Sequence, residues 1–151
     1  MKTTKFKNLF FIASFFLLST ISYGQTKEET ISWLTEKFNK SLKGSDENIK
    51  ITKIEVSPCE VKINCTLFFT TGRVDSYFLI IMPTDGVILT DGKLQYKEER
   101  IERRNLTDNR SYFQNFTSFV KLNSTEPDLY ARIKKALDHL ATFCPKKKET
   151  F

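Results

Sequence analysis

Histidine is nearly absent from this 151-residue chain, which contains His139 alone. The usual zinc sites need several histidines, or cysteine pairs in C-x-x-C spacing, and the sequence offers neither. Glycine is also sparse: its five residues are scattered, so no glycine-rich loop is available to hold a phosphate. The sequence therefore predicts no metal site and no cofactor.

The single histidine has no evident catalytic partner. Asp138 precedes it on a predicted helix, where consecutive side chains diverge by about 100°. Cys144 follows five residues later, about 140° around the same helix at that spacing. Because no nucleophile and base converge, we assign no catalytic residue. We expect a surface histidine and a protein that is not an enzyme.

A hydrophobic run long enough to cross a membrane is missing as well. The apolar run Leu9–Leu18 is shorter than the roughly 20 residues that a membrane helix needs. It follows three lysines, and small residues lie at −3 and −1 of the bond between Gly24 and Gln25, as in a secretory signal peptide. We predict a signal peptide at 1–24, one domain at 25–151, and export to the periplasm or the medium.

Cleavage would also lower the net charge. The chain carries 24 basic and 18 acidic residues, and three of the lysines lie in the first 24 residues. The remaining 127 residues would carry 21 basic and 18 acidic residues, a net charge of +3. Since both signs are interleaved, we expect no nucleic-acid partner. A chain of that length can bury one hydrophobic core.

Apolar residues at helical spacing predict a helix near each end of the exported chain. The first begins with a capping box at Thr26 and Glu29, and Gly44 is placed to end it. The second begins at a cap formed by Thr125–Asp128 and stops at Pro145. The apolar stripes are Ile31, Leu34, Phe38 and Leu42 in the first helix and Leu129, Ile133, Ala136, Leu137, Leu140 and Cys144 in the second.

Between the two helices, residues 51–122 alternate apolar and polar side chains, which is typical of half-buried strands. Turn residues such as Asp91-Gly92 separate short strands, and no helical crossover interrupts them. We predict an α+β fold: an antiparallel meander or small barrel of six to seven strands between the two helices. The charged segment Glu98–Arg104 is expected to be an exposed edge or loop.

Three cysteines in an exported domain predict one disulfide and one free thiol. Along an extended strand Cys59 and Cys65 would lie about 20 Å apart, whereas a disulfide needs Cα atoms within roughly 7 Å. Cys59 follows a turn, where the end of the second helix can reach it. Cys65 lies mid-strand on the core side. We predict a Cys59–Cys144 bridge and a free Cys65, with Cys65–Cys144 as the alternative.

Two sets of aromatic residues could contact a partner. Trp33 lies about 160° from the centre of the first helix stripe, so it either contacts a partner or packs under a neighbouring segment, and the second reading is favoured. In the alternating strand pattern, Phe68, Phe113 and Phe119 occupy the positions opposite to those of the core-facing residues. They could line a groove for a hydrophobic ligand, although coverage by the first helix is the simpler explanation.

Six asparagines begin N-x-[ST] triplets, where roughly one is expected by chance. This excess would suit a eukaryotic secreted glycoprotein. However, a glycan on a strand asparagine such as Asn64 would compete with the sheet for space. The six residues are Asn39, Asn64, Asn105, Asn109, Asn115 and Asn123.

The two helix sequences also carry a resemblance. KEETISWL at 27–34 and RIKKALDHL at 132–140, with a final phenylalanine, resemble the KEETIxWL and RxxKAxxHL helices of a group of small exported proteins of Gram-negative bacteria with no established function. The resemblance covers roughly the terminal thirds of the exported chain. It implies a periplasmic or secreted domain, and it extends the fold expectation to a pleckstrin-homology-like barrel. The group supplies no catalytic residues.

These observations favour a non-enzymatic binding or structural protein of the cell envelope. The alternatives are a carrier of a small hydrophobic ligand, suggested by nine phenylalanines outside the signal segment, and a secreted glycoprotein. The expected partner is accordingly an unknown protein or a small hydrophobic ligand.

Overall fold

The computed structural model of the protein describes residues 25–145. The predicted signal peptide and the lysine-rich end at 146–151 lie outside the described residues. Within this described part, the first element is helix α1 (Lys27–Ser41) and the last is helix α2 (Leu129–Ala141). The strands between them are β1 (Leu42–Gly44), β2 (Ile49–Val56), β3 (Glu60–Phe68), β4 (Val74–Pro83), β5 (Ile88–Thr90), β6 (Lys93–Gln95), β7 (Ile101–Asn105), β8 (Ser111–Gln114) and β9 (Val120–Leu122).

Helix α1 begins as predicted and ends earlier than predicted. The capping box is present, because the backbone N–H of Glu29 donates to Thr26 Oγ1 and that of Thr26 donates to the Glu29 carboxylate. The helix ends at Ser41, and Leu42–Gly44 leaves as strand β1, paired with β9. Leu42 is buried in this strand. Strand pairing therefore replaces the predicted last helical turn while the Leu42 side chain stays buried. The prediction that Gly44 ends the helix is wrong.

A five-stranded antiparallel sheet in the order β2-β3-β4-β7-β8 forms the main layer. Alternate residues of its inner face are fully buried: Val61, Ile63, Ile80, Met82 and Ile101. The helices supply the facing core residues, among them Leu34, Phe38, Ile133, Leu137 and Leu140. The α+β meander between two helices is therefore confirmed.

The barrel alternative is wrong for the part of the chain that the structure describes. Strands β1 and β9 form a second sheet, and β5 and β6 form a third. An isolated bridge between Gln95 and Phe116 joins the third sheet to the chain after β8. The described strands thus form three separate sheets and do not close into a barrel.

Residues 25–145 contain nine strands rather than the six or seven predicted. Apart from β1, the addition is β7, where we expected an edge or loop: it is paired on both sides, with β4 and β8. The predicted last strand across 112–122 is divided into β8 and β9. Thr117 is the reason, because its backbone N–H and its hydroxyl oxygen both hydrogen-bond Leu94 of β6 and so turn the chain away from β7.

Helix α2 buries the predicted apolar stripe from Leu129 to Leu140, but its predicted cap is wrong. The helix begins after Asp128, whose φ is 57° and whose side chain makes no capping hydrogen bond. The residue before a proline avoids the helical conformation, which keeps Glu126 outside the helix. The helix ends at Ala141, so Cys144 lies in the turns that follow rather than in the last helical turn.

Among residues 25–145, neither helix is long and apolar enough to span a membrane.

Candidate functional site

The predicted disulfide is confirmed: Cys59 is bonded to Cys144, with Cα atoms 4.9 Å apart. It ties the β2–β3 turn to the segment after α2. Cys65 is a buried free thiol, and burial raises the pKa of this thiol to about 12. A thiol that stays protonated at neutral pH is a poor nucleophile, so Cys65 acts as a core residue.

The described contacts of the His139 ring are with a backbone carbonyl and an aromatic ring. Its Nε2 lies 2.8 Å from the carbonyl oxygen of Gln25, and its ring meets the edge of Phe143 at a centroid distance of 5.1 Å. The adjacent Asp138 forms an ion pair with Lys134 and not with His139. Within residues 25–145 no group of three or more His, Cys, Asp or Glu side chains is placed to hold a metal ion.

Trp33 lies between the two helices. Its half-buried ring packs against the core, with the Lys37 ammonium 5.9 Å and the Arg132 guanidinium 5.3 Å from its centroid. Glu126 accepts hydrogen bonds from both cations, at 3.0 Å and 2.6 Å. The ring is therefore covered by an ion-paired cluster, which favours packing; contact with a partner stays a prediction.

The three phenylalanines proposed to line a groove are not brought together. The register places Phe68 and Phe113 on the outer face, with β4 and β7 between their strands. Phe119 instead packs against Phe78 on the inner face, with ring centroids 4.9 Å apart. The prediction that Phe119 points away from the core is wrong, because this residue belongs to the connection between β8 and β9, where side chains do not alternate as in a strand.

The clearest candidate site is an arginine surrounded by aromatic rings, here called the arginine–aromatic cluster (Arg103, Tyr112, Phe119 and Phe78). Arg103 pairs with Ile80 of β4 and with Tyr112 of β8. Its side chain therefore points to the inner side of the sheet, as theirs do. Its guanidinium carbon lies 4.9 Å from the Tyr112 ring centroid and 4.6 Å from that of Phe119. Such cation–π contacts hold the guanidinium in place without supplying a hydrogen-bond acceptor.

The nearest carboxylate in sequence cannot pair with Arg103. Glu102 points to the outer face, because successive strand residues point to opposite sides. There it accepts hydrogen bonds from Ser111 Oγ at 2.7 Å and from Arg104 Nε at 2.9 Å. The bond from Ser111 and the ion pair with Arg104 lower the pKa of the Glu102 carboxyl. This carboxylate is therefore ionised at neutral pH and already paired.

The remaining charges of the β7–β8 hairpin are also paired. Asp108 lies 3.6 Å from the Nε of Arg110, and Glu102 pairs with Arg104. Arg103 is half-buried, yet among the described residues it makes no ion pair and no side-chain hydrogen bond. Counting only partners within residues 25–145, it is the one charge of this hairpin without an ion pair. Sequence analysis missed it because a run of mixed charges resembles an ordinary solvated segment.

A second unmatched donor lies on the same face. Gln114 pairs with Ile101, one diagonal step from Arg103, and its side-chain oxygen accepts from Ser118 Oγ at 3.3 Å. Its amide nitrogen is buried without a partner within the described part of the chain. The inner face of the hairpin thus holds two side chains, Arg103 and Gln114, with donors that meet no acceptor of the described residues.

Aromatic side chains next to this cluster are exposed to solvent. Tyr112, Phe113 and Phe116 expose 47%, 59% and 40% of their surfaces. Tyr112 lies on the inner face and Phe113 on the outer face, so both sides of the edge strand β8 carry an aromatic ring. We call these three residues the hairpin surface.

Two grooves lie elsewhere on the molecule. One, of about 670 Å³, has the Asp85–Arg100 ion pair and Lys134 in its lining. The other, of about 350 Å³, follows the edge strand β2 past Lys50 and Lys53. Charged, solvent-facing side chains form much of both linings, so neither resembles the mostly apolar cavity of a small-molecule site.

Comparison with protein-family models, with curated proteins and with solved structures finds no significant match for this chain.

Proposed function

We propose that this chain is an exported, non-enzymatic binding domain and that it contacts its partner through the hairpin surface. The observation that carries the proposal is the exposure of three aromatic rings between residues 112 and 116. Single exposed apolar residues are ordinary, but here three aromatic rings are exposed within five residues, on both faces of the edge strand β8 and just after it. Tyrosine, phenylalanine and arginine are also enriched at interfaces.

The polar groups of the described residues favour binding over catalysis. His139 hydrogen-bonds a backbone carbonyl, Cys65 is buried, and the carboxylates of the hairpin are ion-paired. A nucleophile, a base and an orienting group do not meet at one place, as general acid–base or nucleophilic catalysis requires.

The interior favours a surface-binding domain over the two alternatives. The inner sheet face and the two helices fill the core, whereas a carrier would need an enclosed cavity for its ligand. For the glycoprotein alternative, Asn64 is half-buried on β3, hydrogen-bonded between β2 and β4. A glycan there would have to lie across the sheet.

The contact surface is tested by native mass spectrometry of the protein purified from its source cells. The test variant replaces Tyr112, Phe113 and Phe116 by serine. The matched control replaces Phe69 and Phe143, which are also exposed aromatics, by serine. We expect the wild type and the control to carry a bound species that the triple variant loses. Equal recovery from the triple variant, or none from the wild type, contradicts the proposal.

Export is tested separately. We expect the intact mass of the secreted or periplasmic protein to equal that of a chain that begins at Gln25. A mature species that still contains residues 10–18 would show that the signal-peptide prediction is wrong.

A further inference from the structure

We propose that Arg103 forms, beside the hairpin surface, a binding site for the carboxylate group of a small apolar ligand. This inference rests on the proposed function, since it names the ligand chemistry for the same surface.

The first step is the surplus of hydrogen-bond donors. A guanidinium carries five N–H donors and no acceptor. The rings of Tyr112 and Phe119 fix the position of the Arg103 guanidinium. No acceptor of the described residues hydrogen-bonds its N–H donors. Gln114 adds an unpaired donor on the same face, although its enclosed nitrogen would have to rotate to reach a ligand. The missing partner is therefore an acceptor.

The second step is charge. Glu102 and Asp108, the acidic residues of the hairpin, are paired with Arg104 and Arg110. Since no carboxylate within residues 25–145 pairs with Arg103, its positive charge is left for a ligand to neutralise. A single planar guanidinium matches a planar carboxylate, which it binds through two parallel N–H···O bonds.

The third step is the surroundings of the guanidinium. Tyr112 lies against it and is about half exposed, and Phe116 follows four residues later with its ring also exposed. An apolar group attached to the carboxylate would cover the Tyr112 ring and remove it from water. The Arg103 guanidinium lies beside the exposed Tyr112 ring, and the Lys93 ammonium lies 5.9 Å from the Phe116 ring centroid. This surface therefore selects a ligand with an anionic head and an apolar body.

The site is tested by NMR titration with two probes of nearly equal shape: 3-phenylpropionate, which carries a carboxylate, and 3-phenylpropanamide, which is neutral. Nitrogen-15 spectra follow the Nε–H signal of Arg103 and the backbone amides of Tyr112 and Phe119. We expect the acid to shift these signals saturably and the amide to bind at least tenfold more weakly. Arg103→Gln should abolish the preference for the acid, and Arg103→Lys should weaken binding, because lysine lacks the planar fork.

Arg73→Gln is the matched control, since Arg73 is an exposed arginine in the β3–β4 turn; it should leave the titration unchanged. The inference is overturned if acid and amide bind equally, if the acid shifts signals elsewhere, or if no saturable shift occurs up to its solubility limit. If Arg103→Gln does not fold, the Arg103 Nε–H signal of the wild type decides alone. The contact surface is judged independently, because the serine variants can still lose a bound species when the carboxylate site fails.

Discussion

Replacing Cys59 and Cys144 by serine removes the covalent link between the β2–β3 turn and the segment after α2. The two cysteines are 85 residues apart. In the chain-entropy model, freeing a loop of this length restores roughly 15 cal/mol/K to the unfolded chain, or about 4.5 kcal/mol at 25 °C. Since native disulfides of small exported domains contribute about 2–5 kcal/mol, we expect the free energy of unfolding to fall by roughly that range.

Urea denaturation followed by the fluorescence of Trp33 measures this loss. Trp33 is the single tryptophan and is half-buried between the helices, so its emission reports their separation. The double variant should unfold at lower urea, and its m-value should rise because the unfolded chain without the cross-link is more expanded. A reducing agent should lower the stability of the wild type and leave the double variant unchanged.

Cys65→Ala is the matched control, because it removes the remaining cysteine and should leave the sensitivity to reductant intact. The reasoning is refuted if oxidised wild type and the double variant have the same unfolding midpoint and the same m-value. It is also refuted if a reducing agent destabilises the double variant as much as the wild type.

Three further predictions concern single residues. Gly44→Ala should lower stability by about 1–3 kcal/mol, because an added Cβ would lie 2.2 Å from the carbonyl oxygen of Ile49; urea midpoints measure this, and an unchanged midpoint contradicts it. Cys65, whose thiol pKa is raised to about 12 by burial, should resist iodoacetamide at pH 8 until urea unfolds the chain, as mass spectrometry can show; alkylation at the rate of a free cysteine would refute its burial. Glu126 accepts hydrogen bonds from Lys37 and Arg132 that lower its carboxyl pKa, so its ionised form stabilises the fold above the ordinary pKa of 4.5 and this contribution disappears as the pH falls through the lowered value. Glu126→Gln should therefore be less stable than the wild type at pH 7 and approach it in acid, and a difference that does not shrink contradicts this reasoning.

The disulfide could be predicted because distances along a strand are fixed by backbone geometry. Cys59 directly precedes β3 and Cys65 lies within it, so the extended chain between them holds the two too far apart to bond and leaves Cys144 as the partner for either. The turn before Cys59 then selects it, since a helix end can reach a strand end but not the middle of a sheet. This inference needed local geometry and one sequence-distant contact, and the structure confirms both.

Strand β7 could not be predicted for a reason that is itself local. Its inward residues are Ile101, Arg103 and Asn105, so polar side chains occupy two positions where an ordinary strand carries apolar ones. Arg103 is tolerated there because Tyr112 and Phe119 contact its guanidinium, and both residues lie on later segments of the chain. The same circumstance hid the candidate site, because the rings that define it are separated from Arg103 in sequence.

Leu42 shows the opposite difficulty. Its position is apolar in both the helical and the strand pattern, so the burial of Leu42 was predictable while its secondary structure was not. The pairing of β1 with β9, eighty residues away in sequence, decides between the two patterns. The sequence around Leu42 does not indicate that β9 is its pairing partner.

If the chain is exported as proposed, the position of Cys65 has a consequence for the order in which it folds. A chain that crosses the membrane from its N-terminus delivers Cys59 and Cys65 to the oxidising compartment before Cys144. A premature Cys59–Cys65 bridge would prevent the extended form of β3. The neighbouring strands β2 and β4 are close in sequence, and their pairing with β3 can enclose Cys65 while the rest of the chain is still being delivered. The timing of burial, rather than a difference in thiol chemistry, would then determine which two cysteines are joined.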